Sequence, residues 1–287
     1  MKKVPDNLLL GCYRFDDDSK YVCLKKMLLE QKNNGDLVVP LGVSSDNEFH
    51  YINFDDISCL LVSGETGSGK SIFLDSIIIS LVLRNGKDKI RFVMMDPKKI
   101  ELSYYNSLPH MKGNVINDAS SGILRLLEVK EEYNKRKKIL LDEQIQNIEL
   151  YNKSLKSKKL YHLFVVIDES CDIMKDDRTE KILLELIEDC DMVGIHFIIA
   201  TNSIWEDYFS KKFIDAIKYK VTFDMATLAD ALIIGDREVK DLESPGIAIA
   251  TSKKQKLKYK LQTPYISDTD IMRVVDYYSS KNSVEKK

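Results

Sequence analysis

Five short apolar segments, separated by stretches of helical pattern, constrain the fold of this chain more than any other feature of its sequence. They are rich in Val, Ile and Phe, and they lie at 57–64, 89–96, 161–168, 196–202 and 218–225. Continuous apolar runs of this length are typical of strands that are buried on both faces of a parallel sheet. Helical patterns occupy the intervals at 70–84, 120–158 and 178–191. This alternation predicts an α/β fold with a mostly parallel sheet flanked by helices.

The two ends of the sequence differ from this central pattern. Residues 1–50 are mixed in character and contain two acidic clusters, which predicts a partly α/β N-terminal region. Near the other end, "PGIAIATS" and "KLKYKLQT" flank a lysine-rich turn and predict a hairpin, and "SDTDIMRVVDYYSS" predicts a final helix. We therefore expect an N-terminal region over 1–50, a central domain over 51–265, and a C-terminal helix and tail over 266–287.

The first apolar strand runs into a glycine-rich loop that reads "GETGSGKS" and fits the pattern GxxxxGK[ST] in full. A helical segment follows directly, which is the context in which such a loop cradles the phosphates of a nucleotide with its backbone N–H groups. Lys70 would reach the β- and γ-phosphates, and the Ser71 hydroxyl would bind Mg²⁺. The sequence thus predicts a site for ATP and Mg²⁺ whose nucleotide contacts come from Gly64, Glu65, Thr66, Gly67, Ser68, Gly69, Lys70 and Ser71.

Polar residues at the ends of two further strands complete a candidate hydrolysis site. Asp168 and Glu169 end the strand "LFVVIDE", where two adjacent acids are costly to bury without a cation. We expect Asp168 to hold Mg²⁺ through its water shell and Glu169 to act as the general base toward the attacking water. Thr201 and Asn202 end the strand "HFIIATN" and are candidates to sense the γ-phosphate and orient that water, with Asn202 joining Glu169 and Lys70 as catalytic residues.

Other sequence features narrow the class of protein. The net charge of −2 restricts any nucleic-acid contact to local basic segments. The four histidines show no HExxH spacing and the five cysteines form no CxxC pair, so we expect buried free thiols and no further metal ligands. The apolar run "IIISLVL" at 77–83 is too short to span a membrane. A cytoplasmic location follows, unless a partner holds the chain at a membrane.

Four motifs beyond the phosphate loop identify a family. They are "DPKKIELSYYNSLPH" from Asp96 to His110, Arg136, "NIELYN" at 147–152, and "GIHFIIATN" at 194–202. In this order they resemble the motor domain of the FtsK/SpoIIIE family of DNA translocases, in the HerA-FtsK group of P-loop ATPases, over residues 38–265. The resemblance implies a RecA-like P-loop fold and a ring of identical subunits, a hexamer, that hydrolyses ATP to move double-stranded DNA. Candidate DNA-contacting segments are Lys98-Lys99 and the lysine-rich turn at 253–260, which could equally be a solvated hairpin tip.

The chain departs from the family pattern at two places. The family's A-T-Q-R-P reads Ala-Thr-Asn-Ser-Ile from 200 to 204, and Leu232 stands where the family has an arginine. If that arginine serves a neighbouring subunit's site, Lys220 or Arg237 would have to replace it. With no membrane anchor and no winged-helix module in these residues, we expect a minimal motor encoded on a mobile element.

Two other functions remain open on the sequence. One is a coupling ATPase of a conjugation or secretion system, which would work through membrane-bound machinery. The other is a low-turnover ATP-binding regulatory module, which the missing arginine favours. DNA-stimulated hydrolysis separates translocation from the regulatory reading, and copurification with membrane components would identify the coupling ATPase.

Overall fold

The computed structural model describes residues 22–31, 35–98, 101–154, 159–204, 208–240, 242, 245–253 and 256–285. Its core is a mixed sheet in which five adjacent strands, on one side of the sheet, are parallel, as the apolar segments predict. In spatial order these are β8 (Tyr219–Thr222), β4 (Cys59–Ser63), β7 (Ile195–Thr201), β6 (His162–Ile167) and β5 (Ile90–Met95). We call the end at which these strands finish the carboxyl edge, and the end at which they begin the amino edge.

Antiparallel strands extend this sheet beyond β8. The predicted hairpin forms β9 (Ile247–Ser252) and β10 (Leu257–Gln262), and β9 pairs with β8. Beyond them lie β2 (Val38–Ser44) and β3 (Phe49–Asn53). The expected boundary between residues 50 and 51 therefore falls inside β3. A separate short parallel pair joins β1 (Val22–Cys23) to β11 (Pro264–Tyr265).

The helices cover both faces of the sheet. Their bounds are α1 (Leu24–Glu30), α2 (Lys70–Arg84), α3 (Ala119–Asp142), α4 (Ile148–Lys153), α5 (Cys171–Met174), α6 (Asp177–Leu186), α7 (Lys211–Ala216), α8 (Leu228–Ile234) and α9 (Asp268–Glu285). The helical pattern at 120–158 is divided between α3 and α4. Gln144 adopts a φ of 56° between them, and the Asn147 side chain caps α4 by accepting from the Leu150 N–H at 2.9 Å. Residues 155–158 lie outside the described part.

Two apolar clusters, one on each face of the sheet, hold these layers together. One joins α2 and α9 to the sheet through residues such as Ile78 and Val274, and the other joins α3 and α6 through residues such as Val129 and Leu183. The twelve residues from Phe73 to Arg84 include only one that is not buried, which explains why this helix is apolar almost all round. In the described residues no helix has the length and apolar character of a membrane span.

The cysteines only partly follow the expectation of buried free thiols. Cys59 and Cys190 are free and buried, and Cys171 is free and partly exposed. Cys23 is disulfide-bonded, so the expectation is wrong for that residue.

Candidate nucleotide-hydrolysis site

The loop between β4 and α2 has a backbone that only glycine tolerates well. Gly64, Gly67 and Gly69 have φ values of 152°, 82° and 110°. A Cβ at Gly64 would lie 2.6 Å from the Cβ of Phe223, and one at Gly69 would lie 2.9 Å from the backbone N of Gly246. The glycines therefore let the loop turn tightly against its neighbours and deliver the chain to the start of α2 at the carboxyl edge.

Two buried polar side chains face this loop. Lys70 is 7% exposed, and its Nζ donates a hydrogen bond of 2.8 Å to the backbone O of Glu65, across the loop. Burial lowers the pKa of Lys70, while the carboxylates of Glu169 and Asp168 oppose that shift. Ser68 is 7% exposed, and its hydroxyl has no hydrogen-bond partner within the described residues. A buried hydroxyl without a partner is costly, which is consistent with a site shaped for an added ligand.

The acidic pair stands where β6 ends, and it carries buried negative charge. Asp168 is 6% exposed, and its Oδ1 accepts from the Glu169 N–H at 2.9 Å. Burial raises the pKa of Asp168 to about 6, and the nearby carboxylates of Glu169, Asp96 and Glu101 add to that effect. Oxygen donors with excess negative charge suit Mg²⁺. The Asp168 carboxylate and the Ser71 hydroxyl in the first turn of α2 therefore fit the ion that the sequence predicts.

Glu169 is held from two sides by side chains that follow two other strands. Its Oε2 lies 3.0 Å from the Nζ of Lys98, which follows β5, and its Oε1 accepts from the Nδ2 of Asn202, which follows β7. Its own φ is 48°, a left-handed conformation that a non-glycine residue rarely adopts. Strain of this kind at the end of a strand is typical of functional positions.

Two further residues with predicted roles, Lys98 and Thr201, have defined side-chain contacts at this edge. Lys98, a candidate for DNA contact, forms an ion pair with Glu169, and this hydrogen bond raises its pKa. Its neighbour Lys99 lies outside the described residues. Thr201 is 1% exposed and donates to the backbone O of Ser203 at 2.7 Å, so its hydroxyl is committed within the chain. Asn202 alone of this pair reaches Glu169.

Asp75 is a buried acid that sequence reasoning missed. It lies on α2, and its Oδ1 accepts from the hydroxyls of Tyr104 and Tyr105 at 2.6 and 2.7 Å. Burial raises its pKa to about 7, against which the two tyrosine hydrogen bonds act. An aspartate inside the apolar run "FLDSIII" was the signal that could have found it. This contact fastens the segment after β5 to the helix that leaves the phosphate loop.

Asp96 and Arg136, both part of the family motifs, hold backbone segments in place through hydrogen bonds. Asp96 is fully buried and accepts from the backbone N–H groups of Glu101 and Leu102 at 2.9 and 3.1 Å. Arg136 is 1% exposed and lies at the amino edge, where its Nη1 donates to the backbone O atoms of Tyr161 and Val193 at 2.8 and 3.0 Å. Arg136 is therefore remote from the hydrolysis site.

The two residues considered as replacements for the family arginine lie in different environments. Lys220 is 4% exposed, and burial lowers its pKa to about 8. A buried ammonium is not offered to a neighbouring subunit, so the candidacy of Lys220 is wrong. Arg237 and Leu232 are both exposed. Of the two cations, Arg237 alone reaches the surface.

The chain is similar to proteins of known type. Residues 25–207 match the model of the FtsK/SpoIIIE family. The protein named DNA translocase FtsK from Campylobacter jejuni is 28% identical over 98% of this chain and 31% of its own length. The protein of that name from Streptococcus pneumoniae is 25% identical over 97% of this chain and 38% of its own length. The chain thus spans about a third of the length of these curated relatives.

Solved structures agree on the fold. The cytoplasmic domain of the type VII secretion ATPase EccC from Thermomonospora curvata has a TM-score of 0.78 at 17% identity, over 91% of this chain and 34% of that one. The conjugation coupling protein TcpA of pCW3 has a TM-score of 0.74 at 23% identity, over 91% of this chain and 75% of that one. These likenesses confirm the predicted P-loop ATPase fold. Because the family model covers well over half of the sequence, the chain belongs to the FtsK/SpoIIIE family.

Proposed function

We propose that this chain is the ATP-hydrolysing motor of a DNA translocase, which works as a ring of identical subunits on double-stranded DNA. The observation that carries the proposal is the convergence of Lys70, Asp168, Glu169 and Asn202 at one edge of the sheet, from segments far apart in sequence. A cytoplasmic location follows from this function, because both ATP and chromosomal or plasmid DNA are found there.

The hydrolysis step divides among these side chains. The phosphate loop and Lys70 would hold the phosphates, and the Lys70 ammonium would exchange its bond to the Glu65 carbonyl for a phosphate oxygen. Ser71 and Asp168 would hold Mg²⁺, which neutralises charge on the phosphates. Glu169 would accept a proton from the attacking water, and Asn202 would hold the Glu169 carboxylate in position through its amide.

Strand β9 lies between the phosphate loop, to which a hydrogen bond joins its start, and the lysine-rich turn at its end. The N–H of Gly246 donates to the backbone O of Ser68 in the loop at 2.8 Å, and β9 begins at the next residue. β9 then runs antiparallel to β8 and ends at the amino edge, where the turn to β10 carries Lys253. A shift of the loop on nucleotide binding or release would therefore be transmitted along a strand to the basic turn.

The lysines of this turn suit contacts to a phosphate backbone. Lys253 lies 2.7 Å from Asp215, and Lys258 lies 2.9 Å from Asp236 and 2.8 Å from Glu238. Surface ion pairs of this kind are worth only about 0–1 kcal/mol, so DNA phosphates can replace the acids at little cost. Residues 254–255 of the turn lie outside the described part.

The similarity in sequence favours DNA translocation over a secretion or conjugation role. The curated relatives reported above are named DNA translocases, whereas the likeness to EccC and TcpA is evidence for the fold alone. Co-sedimentation with membranes from the native cell, together with DNA-independent hydrolysis, would favour the coupling ATPase instead. Hydrolysis that is slow under all conditions would favour the regulatory module.

The central experiment measures ATP hydrolysis per subunit against protein concentration, with and without long duplex DNA. We expect the rate to rise with concentration, because a neighbour must complete each site, and to rise further with duplex. The stimulation by DNA should weaken steeply as salt increases, because phosphate contacts release counterions. A rate that is flat on dilution and indifferent to DNA would contradict the translocase.

Variants locate the contributions of single residues in the same assay. Lys70→Ala should abolish tight ATP binding while circular dichroism stays unchanged, because Lys70 contacts the loop and not the apolar core.

Arg237→Ala should reduce the rate at high protein concentration and leave the rate of diluted subunits unchanged. Lys258→Ala with Lys260→Ala should reduce stimulation by DNA, whereas Lys181→Ala, which removes an exposed lysine of α6, serves as the matched control.

A further inference from the structure

A second cluster of metal-ligating side chains lies at the amino edge, away from the hydrolysis site. We call Asp55, Glu149 and His162 the His162 cluster. Asp55 comes from the 3₁₀ turn Phe54–Asp56 after β3, Glu149 from the first turn of α4, and His162 from the start of β6. One ligand atom from each lies within 4.8 Å of the other two. His162 is 2% exposed, whereas the two carboxylates reach the surface.

The hydrogen bonds around His162 fix where its proton is. His196 is fully buried, and its Nδ1 lies 3.0 Å from the backbone O of Ile57, which can only accept. The Nδ1 of His196 must therefore carry the hydrogen. The ring of His196 contacts no carboxylate among the described residues, so it keeps this one hydrogen and its Nε2 accepts. The Nδ1 of His162, which lies 3.0 Å from that Nε2, must then carry a hydrogen as well.

This assignment leaves the other nitrogen of His162 facing a carboxylate. In the neutral ring the Nε2 of His162 has no hydrogen, yet it lies 3.1 Å from the Oε1 of Glu149. Two lone pairs this close repel each other unless a cation lies between them or beside them. A proton on Nε2 would pair with Glu149 alone and leave the exposed Asp55 to water. A divalent cation would instead bind the imidazole and both carboxylates together, because their ligand atoms lie within 4.8 Å of one another.

We propose that the His162 cluster binds a divalent transition-metal ion such as Zn²⁺, through the Nε2 of His162 and the carboxylates of Asp55 and Glu149. Zn²⁺ takes nitrogen ligands at about 2.0–2.1 Å and carboxylate ligands at about 2.0–2.2 Å, so neighbouring ligand atoms of a tetrahedral site stand roughly 3.3 Å apart. The 3.1 Å between Nε2 and Oε1 is close to that separation. Water would complete the coordination.

The surroundings of His162 match those of metal-binding histidines in other proteins. A histidine ligand usually donates its second N–H to a fixed acceptor, which sets its tautomer and its orientation. Here two successive hydrogen bonds, from His162 Nδ1 to His196 and from His196 to the Ile57 carbonyl, perform that task, and both imidazole rings are buried. The exposed cluster of Asp46, Glu48 and His50 has no such buried support, which makes it the natural comparison.

A metal here would cross-link three elements that are far apart in sequence. It would fasten α4, which follows the long helix α3, and the turn after β3 to the first residue of β6. The consequence is thermal stability of the fold, not a step of ATP hydrolysis, because the cluster lies at the opposite edge from Asp168. The proposal is therefore independent of the proposed function.

The test is a titration of chelator-stripped full-length protein with Zn²⁺ by calorimetry, repeated with Co²⁺ to record its visible absorption. Saturating Mg²⁺ is present throughout to occupy the hard oxygen ligands near Asp168, since Mg²⁺ does not compete well for imidazole. The variants are Glu149→Gln and Asp55→Asn, both at the surface and therefore expected to fold, with His50→Gln as the matched control at the exposed cluster.

We expect wild type and His50→Gln to bind Zn²⁺ alike and to melt at a higher temperature with it. Glu149→Gln and Asp55→Asn should each bind at least about tenfold more weakly, the lower end of what even an outer-shell change costs, and should lose the thermal shift. Zn²⁺ affinity in wild type no greater than in these two variants would overturn the proposal. Loss of binding in His50→Gln instead would overturn it too, by assigning the ion to the exposed cluster.

Discussion

The two edges of the parallel sheet differ in the sign of their buried charges and in the groups that these charges contact. At the carboxyl edge the buried charges are mainly acids, Asp75, Asp96 and Asp168, and Glu169 is positioned by the side chains of Lys98 and Asn202. At the amino edge the buried cation Arg136 donates mainly to backbone carbonyls, and His196 likewise contacts the Ile57 carbonyl. Backbone contacts are present whenever the fold is present. At the carboxyl edge, the contacts of Lys70 and Glu169 can be exchanged for contacts to a ligand, which is what a catalytic site requires.

Arg136→Ala tests the amino edge and should have the largest effect on stability. It removes a buried cation and leaves the carbonyls of Tyr161 and Val193 and the Glu132 carboxylate without their donor. We expect a loss of about 3–5 kcal/mol in the free energy of unfolding, as when one partner of a buried charged pair is removed. Denaturant titration measures it, with Lys135→Ala, at an exposed position of the same helix, as the control. A loss of no more than about 0.5 kcal/mol, the range for surface changes, would show that the carbonyls find other donors.

Glu169→Gln tests the carboxyl edge and should slow ATP hydrolysis without changing the stability of the fold. The amide keeps the size of the side chain but cannot accept a proton from water, so hydrolysis should slow by about a hundredfold or more. ATP binding and the melting temperature should stay near those of wild type. Glu185→Gln, which removes a surface acid paired with Lys130, should leave turnover unchanged. Turnover near that of wild type in Glu169→Gln would make Glu169 a structural acid.

Asp75→Asn asks whether a buried acid at the carboxyl edge costs stability. Its folded-state pKa of about 7 lies above the value of 3.8 for an exposed aspartate, so folding favours the protonated form. The contribution of Asp75 to stability is therefore full below about pH 4 and is lost as the pH rises toward 7. The asparagine Oδ1 can still accept from both tyrosine hydroxyls. We expect the variant to be more stable than wild type at pH 8, by about 4 kcal/mol, and nearly equal to it at pH 4.

The measurement is denaturant unfolding at the two pH values. Asp142→Asn, at the exposed end of α3, should show no such difference between them. A variant that is equally destabilised at both pH values would mean that the tyrosines require a carboxylate.

Asn202→Ala should have the smallest effect of the four. It removes one hydrogen bond to Glu169 and leaves the ion pair with Lys98. A lost hydrogen bond of about 1 kcal/mol corresponds to a roughly fivefold slower turnover, with ATP affinity unchanged. Ser203→Ala, at the next residue, is the control. Steady-state kinetics that show weaker ATP binding in place of slower turnover would assign Asn202 to the nucleotide and not to Glu169.

Local sequence determined the parts of this protein that depend on backbone conformation and on periodicity. The apolar runs predicted the five parallel strands, and the bounds of α2 were predicted at 70–84, because burial on both sheet faces and a glycine-rich loop leave little freedom. A pair of helices was expected here, but the position of the break between α3 and α4 was not predicted, since the polar stretch around Gln144 has the same composition as the helices on either side. The break is made by Gln144, which adopts a left-handed backbone conformation just after the end of α3.

The tertiary structure decided which of the charged residues are near one another. The sequence by itself determined that Lys70, Asp168 and Glu169 follow strands of one sheet, and parallel strands must end at a common edge. Nothing in the sequence places Lys98 against Glu169, buries Lys220, or brings Asp55 to within reach of Glu149 and His162. Those contacts join segments separated by tens of residues. Their geometry depends on how helices and turns pack on the sheet, which local periodicity does not specify.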